Sequence, residues 1–254
     1  MGIYEMNGGK LTGSDNDTER LPLLLVPGTL CDERVFTPVL ALLPERSVSI
    51  APLTDVSDVH EAARRILADA PPRFALLGFS LGGIVSLEIA ATEPGRVAGL
   101  ALIGSNARPV APEFHAERRR EAISGSENLD HYIRKIMWPR YVSEGRRQDA
   151  ALQHLIAAMA RDGGRQLLLN QTEIGLSRID SRDRIARMTM PSLVLGGCED
   201  ALCTPEMQRE MAHRLPDAQL ALLPDAGHFV TLEQPEAVAA HISSWLERVD
   251  RVSA

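Results

Sequence analysis

A serine flanked by glycines, in the segment Gly-Phe-Ser-Leu-Gly at residues 78–82, has residue types and spacing suited to nucleophilic chemistry. The glycines permit a tight turn that exposes the hydroxyl of Ser80 and lets neighbouring backbone approach closely. The apolar run at residues 74–77 predicts a buried strand before the turn, and Ile84 and Leu87 continue after it at helical spacing. Strand, turn and helix together are the context of a nucleophile elbow. Ser80 is therefore the candidate nucleophile, and an ordinary helix cap is the alternative interpretation.

A serine hydroxyl at its ordinary pKa is a poor nucleophile, so a base must lie beside it. His228 lies in a loop after the last predicted strand and is the candidate general base. Asp200 follows the preceding strand and is the candidate acid that fixes the imidazole tautomer. Glu199 is the alternative acid, although adjacent side chains point in different directions. The order Ser80, Asp200, His228 is the one expected after a nucleophile elbow. The other histidines fall in stretches with helical periodicity: His60, His115, His131, His154, His213 and His241.

The negative charge that develops during attack on a carbonyl needs hydrogen-bond donors, which form an oxyanion hole. The backbone N–H of Leu81, directly after the candidate nucleophile, is the first predicted donor. The second predicted donor is the backbone N–H of Thr29, in the loop that follows the first predicted strand and Pro27-Gly28. Loop position selects Thr29, since a backbone donor does not depend on side-chain identity.

Predicted strands and helices alternate on both sides of a helical block in the middle of the chain. Apolar runs predict strands at 21–26, 47–51, 74–77, 97–103, 191–196 and 219–223, and helical patterns occur at 35–43, 58–70, 205–215 and 235–249. Between them, helical patterns fill 113–124, 129–137, 148–161 and 164–176. This organisation predicts an α/β protein with a doubly wound, mostly parallel sheet and an inserted helical cap. The predicted core is residues 21–106 and 189–254, and the predicted cap is 107–188. Residues 1–20 are predicted to form a flexible lead-in with a short edge strand at Ile3 to Met6.

Composition argues against several classes of function. The net charge of −7 disfavours binding to nucleic acid or to anionic membranes. No apolar run reaches the roughly 18 residues of a membrane span, and residues 1–20 lack the apolar core of a secretory signal. Three cysteines favour a reducing cytoplasm over a disulfide framework. Cys198 and Cys203 have no second pair near them, so we expect no metal site.

The motifs occur together and in order, and they resemble the α/β-hydrolase superfamily, particularly small capped esterases such as the pimeloyl-carrier-protein methyl ester esterases. The matching segments run from about residue 22 to 250 and are Leu25-Val26-Pro27-Gly28-Thr29, residues 78–83, the strand end with Gly196, Asp200 and Pro205, and Gly227-His228 followed by Glu233-x-Pro235-Glu236. The resemblance implies hydrolysis of a carboxylic ester or related acyl compound by a serine, without a cofactor. The chain departs from the family at Pro27, where a histidine usually precedes the glycine.

The sequence leaves the substrate open. Within the same fold, a thioester, lactone, amide or carbon–carbon bond is an alternative target, as is cofactor-free perhydrolysis. A ligand sensor with negligible turnover is the alternative from another class. Cys31 is expected to be a small buried hydrophobe near the oxyanion loop. The predicted pocket residues are Leu30, Met137, Trp138, Tyr141, Met159 and Phe229. For the four that lie in the cap, residues 137, 138, 141 and 159, packing of the cap onto the sheet is the alternative interpretation.

Arginines at 118–120 and 146–147 make the helical block the most basic part of the chain. Such clusters usually form a solvated face, and an acidic carrier protein is an alternative partner. We expect a small-molecule acyl ester as the substrate, with neither nucleic acid nor a membrane as a partner. The oligomeric state is not predicted.

Overall fold

The computed structural model describes residues 2–5 and 20–253, and its centre is a seven-stranded sheet. The strands are β1 (Tyr4–Glu5), β2 (Leu23–Val26), β3 (Val48–Ile50), β4 (Phe74–Phe79), β5 (Val97–Ile103), β6 (Ser192–Gly197) and β7 (Ala218–Leu223). Their order across the sheet is β1-β3-β2-β4-β5-β6-β7. β1 pairs antiparallel with β3, and the other strand pairs are parallel. The predicted α/β sheet is therefore confirmed. The predicted edge strand lies at Tyr4–Glu5, and most of the predicted lead-in, including residues 6–19, falls outside the described residues.

Helices cover the sheet and fill the middle of the chain. The α-helices of the described residues are α1 (Thr37–Leu40), α2 (Val59–Asp69), α3 (Leu81–Thr92), α4 (His115–Glu127), α5 (Leu129–His131), α6 (Trp138–Tyr141), α7 (Ala150–Ser177), α8 (Arg182–Ile185), α9 (Pro205–Arg214), α10 (Val230–Glu233) and α11 (Pro235–Ser253). Short 3₁₀ turns lie at Glu33–Val35, Pro112–Phe114 and Glu144–Arg146, and a π-helical turn lies at Tyr132–Met137. In the part of the chain that is described, no helix combines the length and apolarity needed to cross a bilayer.

The central parallel strands β2, β4 and β5 are apolar and buried along their whole length, because both faces of the sheet are covered there. Every residue of β4 is buried. Along β2, Leu23 and Leu25 pack into the core that contains Trp245 of α11, whereas Leu24 and Val26 pack into the opposite core with α2 and α3. Full burial of one such side chain contributes about 1.5–3 kcal/mol to stability. The sheet is thus a rigid base, and its carboxyl ends can position functional loops.

One local feature differs from the sequence prediction. The predicted helix at 35–43 is a 3₁₀ turn followed by the single turn of α1, and the side chain of Asp32 starts the 3₁₀ turn by accepting the Arg34 N–H. By contrast, the predicted break between helices at 148–161 and 164–176 is present, as a kink with non-helical backbone at Gly164 within α7. Gly164 has a φ of +77°, a conformation that favours glycine.

The segment between β5 and β6 is helical in the structure, as its periodicity predicts. Its helices α4 and α7 pack together, and α7 also contacts α2 and α3 of the sheet domain. Residues of α4 and α7 face the loops after β2 and β4 across a cavity. This arrangement brings the helical segment to the carboxyl end of the sheet.

Candidate active site

The turn between β4 and α3 holds Ser80 in a strained conformation. Its φ and ψ are +53° and −116°, outside the usual regions for a residue with a Cβ atom. The Ser80 N–H donates to the Ile103 carbonyl at 2.8 Å, and the Ser105 hydroxyl donates to the Ser80 carbonyl at 2.9 Å. Gly82 is needed because a Cβ there would lie 2.0 Å from the Val26 carbonyl oxygen. These contacts fix the turn and present the hydroxyl at the end of the strand.

Three polar side chains from separate strand ends meet at this turn. The imidazole Nε2 of His228 lies 2.9 Å from the Ser80 hydroxyl oxygen, and its Nδ1 lies 2.8 Å from Oδ2 of Asp200. Asp200 and His228 are both buried. The second carboxylate oxygen of Asp200 accepts the backbone N–H groups of Leu202 and Cys203 at 2.8 and 2.9 Å. The carboxylate is therefore fully engaged, and it holds the imidazole toward Ser80.

The alternative acid, Glu199, points elsewhere. Its carboxylate accepts the backbone N–H of Glu144 at 2.7 Å, on the exposed side of the loop. Asp200 and Glu199 are neighbours in the chain, so the structure separates them by direction and by burial.

The loop after β2 lies beside the candidate nucleophile. A Cβ at Gly28 would come within 3.1 Å of the Ser80 Cβ, so this loop and the elbow are in close contact. The N–H of Leu30 donates to the amide oxygen of Gln171 at 2.7 Å, which leaves the N–H of Thr29 as the next donor. Among the described residues, the backbone N–H groups of Thr29 and Leu81 have no acceptor. Leu81 is the first residue of α3, where the helix dipole favours a negative charge.

A cavity of about 250 Å³ opens in front of Ser80 and His228. Its floor includes Thr29, Phe79 and Leu81, and its roof comes from α4, the π-helical turn, α6 and α7. Apolar and aromatic side chains make up much of the lining, with a few polar groups among them. Such a composition is typical of small-molecule sites, and this volume is near the small end of their range.

The model of the alpha/beta hydrolase family matches residues 23–241. The chain belongs to the α/β-hydrolase family. The match includes the elbow, the loop after β2, the helical segment and the loops of Asp200 and His228. The predicted family and the predicted α/β-hydrolase fold are confirmed.

Named relatives and solved structures of this family are similar to the chain. A pimeloyl-[acyl-carrier protein] methyl ester esterase of Neisseria meningitidis serogroup A is 28% identical, over 78% of this chain and 65% of that protein. The chain thus spans 65% of that relative's length. A thermophilic esterase from Thermogutta terrifontis, solved with malate bound, is 28% identical with a TM-score of 0.83, over 98% of this chain and 93% of that one.

An enol-lactonase from Burkholderia xenovorans shares the fold, with 19% identity and a TM-score of 0.81 over 96% of both chains. The names of the relatives agree with an esterase-like enzyme of the α/β-hydrolase family. The prediction that the protein is an enzyme of the α/β-hydrolase family is confirmed.

Three of the predicted pocket residues line the cavity of this α/β hydrolase, namely Met137, Tyr141 and Phe229. The other three are buried in packing around it, so the pocket prediction is corrected at these positions. Leu30 and Met159, the latter on α7, are buried in the hydrophobic core, and Trp138 donates its indole N–H to the Arg147 carbonyl at 2.9 Å. Cys31 is buried and contributes to the cavity wall.

Glu233 of α10 holds the loop that carries His228. One carboxylate oxygen accepts the Gly227 N–H at 3.0 Å, and the other accepts the Ser143 N–H at 2.8 Å. This buried carboxylate therefore ties the histidine loop to the chain after α6. Burial raises the pKa of Glu233, although these two hydrogen bonds act in the opposite direction.

We predict that Glu233→Gln lowers the free energy of unfolding by about 1–3 kcal/mol, because the amide nitrogen cannot accept a hydrogen bond from one of the two buried N–H groups.

The raised pKa of Glu233 has a second consequence, which concerns the pH dependence of stability. Folding disfavours the ionised carboxyl, so the wild type loses stability relative to the variant as the pH rises through the unfolded and then the folded pKa. Denaturant unfolding at several pH values measures both effects. Glu236→Gln, an exposed change in the same segment, is the control. Equal stability of the wild type and Glu233→Gln at acidic pH would contradict the assignment.

Asp200, Cys203 and His228 have ligand atoms within 4.8 Å of one another, which is a spacing that metal sites also show. The donors suit a metal poorly. Burial raises the pKa of Cys203 to about 12, so the thiol stays protonated at neutral pH, whereas metals bind the thiolate. Both imidazole nitrogens of His228 already have partners. The cluster is better explained by the hydrogen bonds among its members.

Several polar residues of the cavity wall were not predicted from the sequence: Asn106, Arg118, Glu121, Gln171 and Arg178. Gln171 had a detectable signal, since it lies on the apolar face of α7 between Leu168 and Ile174, both buried. A buried polar side chain in that position requires partners, and Gln171 finds them in the Leu30 N–H and the Leu53 carbonyl. It therefore joins α7 to the oxyanion loop.

Proposed function

We propose that the protein is a serine esterase that hydrolyses a carboxylic ester through an acyl-enzyme on Ser80. The observation that carries this proposal is the pair of short contacts that connects the Ser80 hydroxyl to His228 and His228 to Asp200. With a proton on Nδ1, the imidazole donates to Asp200 and accepts the serine proton at Nε2. A hydroxyl on a strained turn with a base beside it is an activated nucleophile.

The proposed reaction proceeds in two halves. The Ser80 oxygen attacks the ester carbonyl carbon while His228 takes the serine proton. The imidazolium then protonates the alcohol as it leaves, and Ser80 retains the acyl group. Water attacks the acyl-enzyme with His228 as base, and the carboxylic acid departs. Asp200 stabilises the charged imidazole in both halves.

The backbone N–H groups of Leu81 and Thr29 are the proposed oxyanion hole. Their freedom from other acceptors among the described residues supports this role, as does the position of Leu81 at the start of α3. Removing one donor of this kind typically costs about 3–4 kcal/mol of transition-state stabilisation. Gln171 would support Thr29 indirectly, because it fixes the neighbouring peptide.

Residues 107–188 are proposed to act as a cap that selects the substrate. The support is that α4, the π-helical turn, α6 and α7 supply the roof of the cavity in front of Ser80. The cavity volume of about 250 Å³ favours a small acyl ester.

The type of bond that is cleaved, the cytoplasmic location and a carrier-protein partner are also proposals. An ester is favoured over a thioester, lactone or carbon–carbon bond by the esterase names of both relatives at 28% identity. Three free cysteines, two of them buried, agree with the predicted cytoplasmic location. A carrier protein as partner is supported by the name of the Neisseria relative and by the basic residues 118–120 on α4.

Labelling by a fluorophosphonate, combined with turnover, tests the proposal against a ligand sensor. We expect one label per chain, on Ser80, and many turnovers on at least one ester of a panel that varies acyl length and alcohol size. Mass spectrometry of the labelled peptide locates the modification. Labelling without turnover across the panel would favour the sensor, and a label on another residue would reject the mechanism.

A further inference from the structure

An arginine without a carboxylate partner lines the cavity in front of Ser80. Arg178 follows α7 directly and is partly buried. Its Nε atom is buried and has no hydrogen-bond partner, and no carboxylate within the described residues forms an ion pair with the side chain. An arginine side chain remains protonated at neutral pH. A buried cation with unused donors is costly unless something else supplies the acceptor.

Arg178 differs from the other arginines in and around the helical segment, which either pair with an acidic residue or are exposed. Arg119 forms a two-fold contact with Glu173, and Arg184 pairs with Glu88. The remaining paired examples nearby are Arg108, Arg134, Arg161 and Arg182. Among the described residues of this region, the other arginines without an ion pair are all exposed, whereas Arg178 is partly buried beside the cavity.

The other charges of the cavity wall do not neutralise Arg178. Glu121 lies 3.6 Å from Arg118, so its charge is shared with that arginine. Cys203 is an acidic group whose charge would act on Arg178, but burial raises the pKa of this thiol to about 12, so it is uncharged. Asn106 donates its amide to the Cys203 sulfur at 3.4 Å. The cavity therefore carries a surplus of positive charge on the side of Asn106 and Cys203.

This charge lies close to the proposed catalytic residues. Cys203 and Arg178 both line the cavity, and the Cys203 sulfur is within 4.8 Å of ligand atoms of both Asp200 and His228. A substrate that fills a cavity of about 250 Å³ and reaches Ser80 therefore also comes near the guanidinium. Phe79, Tyr141 and Leu168 provide apolar walls for the carbon chain between the two ends.

We propose that Arg178 binds a carboxylate carried by the substrate, so that the enzyme prefers the ester of an acid or alcohol with a second, ionised carboxyl group. The inference rests on the proposed esterase function, whose substrate class it names. A planar guanidinium matches a carboxylate with two parallel hydrogen bonds, and the partly buried position strengthens the interaction. The carboxylate sits at a fixed distance from the scissile carbonyl, so it also orients the ester for attack.

Matched pairs of esters test the inference. The first pair is monomethyl adipate and methyl adipamate, which differ by a carboxylate and a carboxamide on the acyl side. The second pair is the acetate ester of γ-hydroxybutyrate and that of its amide, which places the difference on the alcohol side. We expect wild-type kcat/KM to favour the carboxylate in one pair by roughly 10- to 100-fold, in line with a charge-assisted hydrogen bond. The pair that discriminates tells which side of the ester meets Arg178.

The Arg178→Gln variant should lose this preference and keep turnover of the neutral ester within a few-fold. Arg178→Lys keeps the charge but not the paired geometry, and should retain only part of the preference. Arg165→Gln removes an exposed arginine from α7, the helix that precedes Arg178, and should retain the full preference. Binding of adipate to the Ser80→Ala protein, by calorimetry, should weaken on adding Arg178→Gln.

Two outcomes would overturn the inference: no preference for the carboxylate in either pair, or a preference that Arg178→Gln leaves unchanged. Either result is compatible with full turnover of neutral esters, so the esterase proposal would stand. If no ester is hydrolysed, the esterase proposal fails. Adipate binding by the Ser80→Ala protein then decides the role of Arg178 separately.

Discussion

Ser80→Ala is expected to abolish ester hydrolysis, with kcat reduced on the order of 10⁵- to 10⁶-fold. The substitution removes the oxygen that would carry the acyl group, whereas the base, the acid and the backbone donors remain. Any residual rate comes from water attacking an ester held at the oxyanion hole. Rates on a simple aryl ester, measured at saturating substrate, check the expectation.

The fold should survive this change. Alanine has the same Cβ atom as serine, so the strained φ of +53° is no worse than before. The lost hydrogen bond to His228 leaves a partly exposed site that water can fill. Stability should therefore change by about 1 kcal/mol or less. Ser124→Ala, on the exposed side of α4, controls for loss of a hydroxyl elsewhere. Undiminished turnover by folded Ser80→Ala protein would reject the acyl-enzyme.

Asp200→Asn is expected to lower kcat about 10³- to 10⁴-fold with little change in fold. The reason lies in the two N–H groups of Leu202 and Cys203, which donate to one oxygen of this side chain. In the variant they hold the amide oxygen, so the amide NH₂ faces His228. It then donates to Nδ1 and forces the proton onto Nε2. An imidazole protonated at Nε2 cannot accept the proton of Ser80.

The matched control is Glu199→Gln, one residue earlier in the same loop. Glu199 is exposed, and among the described residues its carboxylate bonds only the Glu144 N–H, so its variant should stay within a few-fold of wild type. The two kcat values, measured on the same ester, distinguish the acids. A larger loss for Glu199→Gln than for Asp200→Asn would reverse the assignment.

The predicted elements that agree with the structure all have local physical causes. A strand buried on both faces needs a continuous apolar run, and the run before Ser80 becomes β4. The turn after it needs residues without a Cβ where backbone atoms come close, and Gly82 meets that need at the Val26 carbonyl. Both requirements are met by residues that are close together in the chain. The chain order of Ser80, Asp200 and His228 follows from the strand ends that they occupy.

The short helices α6 and α10 were not predicted, because four residues give too little periodicity to detect. α10 nevertheless supplies Glu233. Its carboxylate accepts hydrogen bonds from the backbone N–H of Gly227, six residues earlier in the chain, and from that of Ser143, 90 residues earlier. No spacing in the sequence indicates the second of these partners.

The sequence by itself determined the α/β fold, the position of the elbow and the three candidate side chains, because strand burial, glycine-dependent turns and strand-end loops act over a few neighbouring residues. Tertiary structure decided the cavity. The Gln171 side chain accepts a hydrogen bond from the Leu30 N–H, although the two residues are 141 positions apart in the chain. Arg178, which follows the helix that carries Gln171, lines the cavity. Such partners depend on how α7 packs over the sheet, and packing brings together residues whose separation along the chain carries no periodic signal.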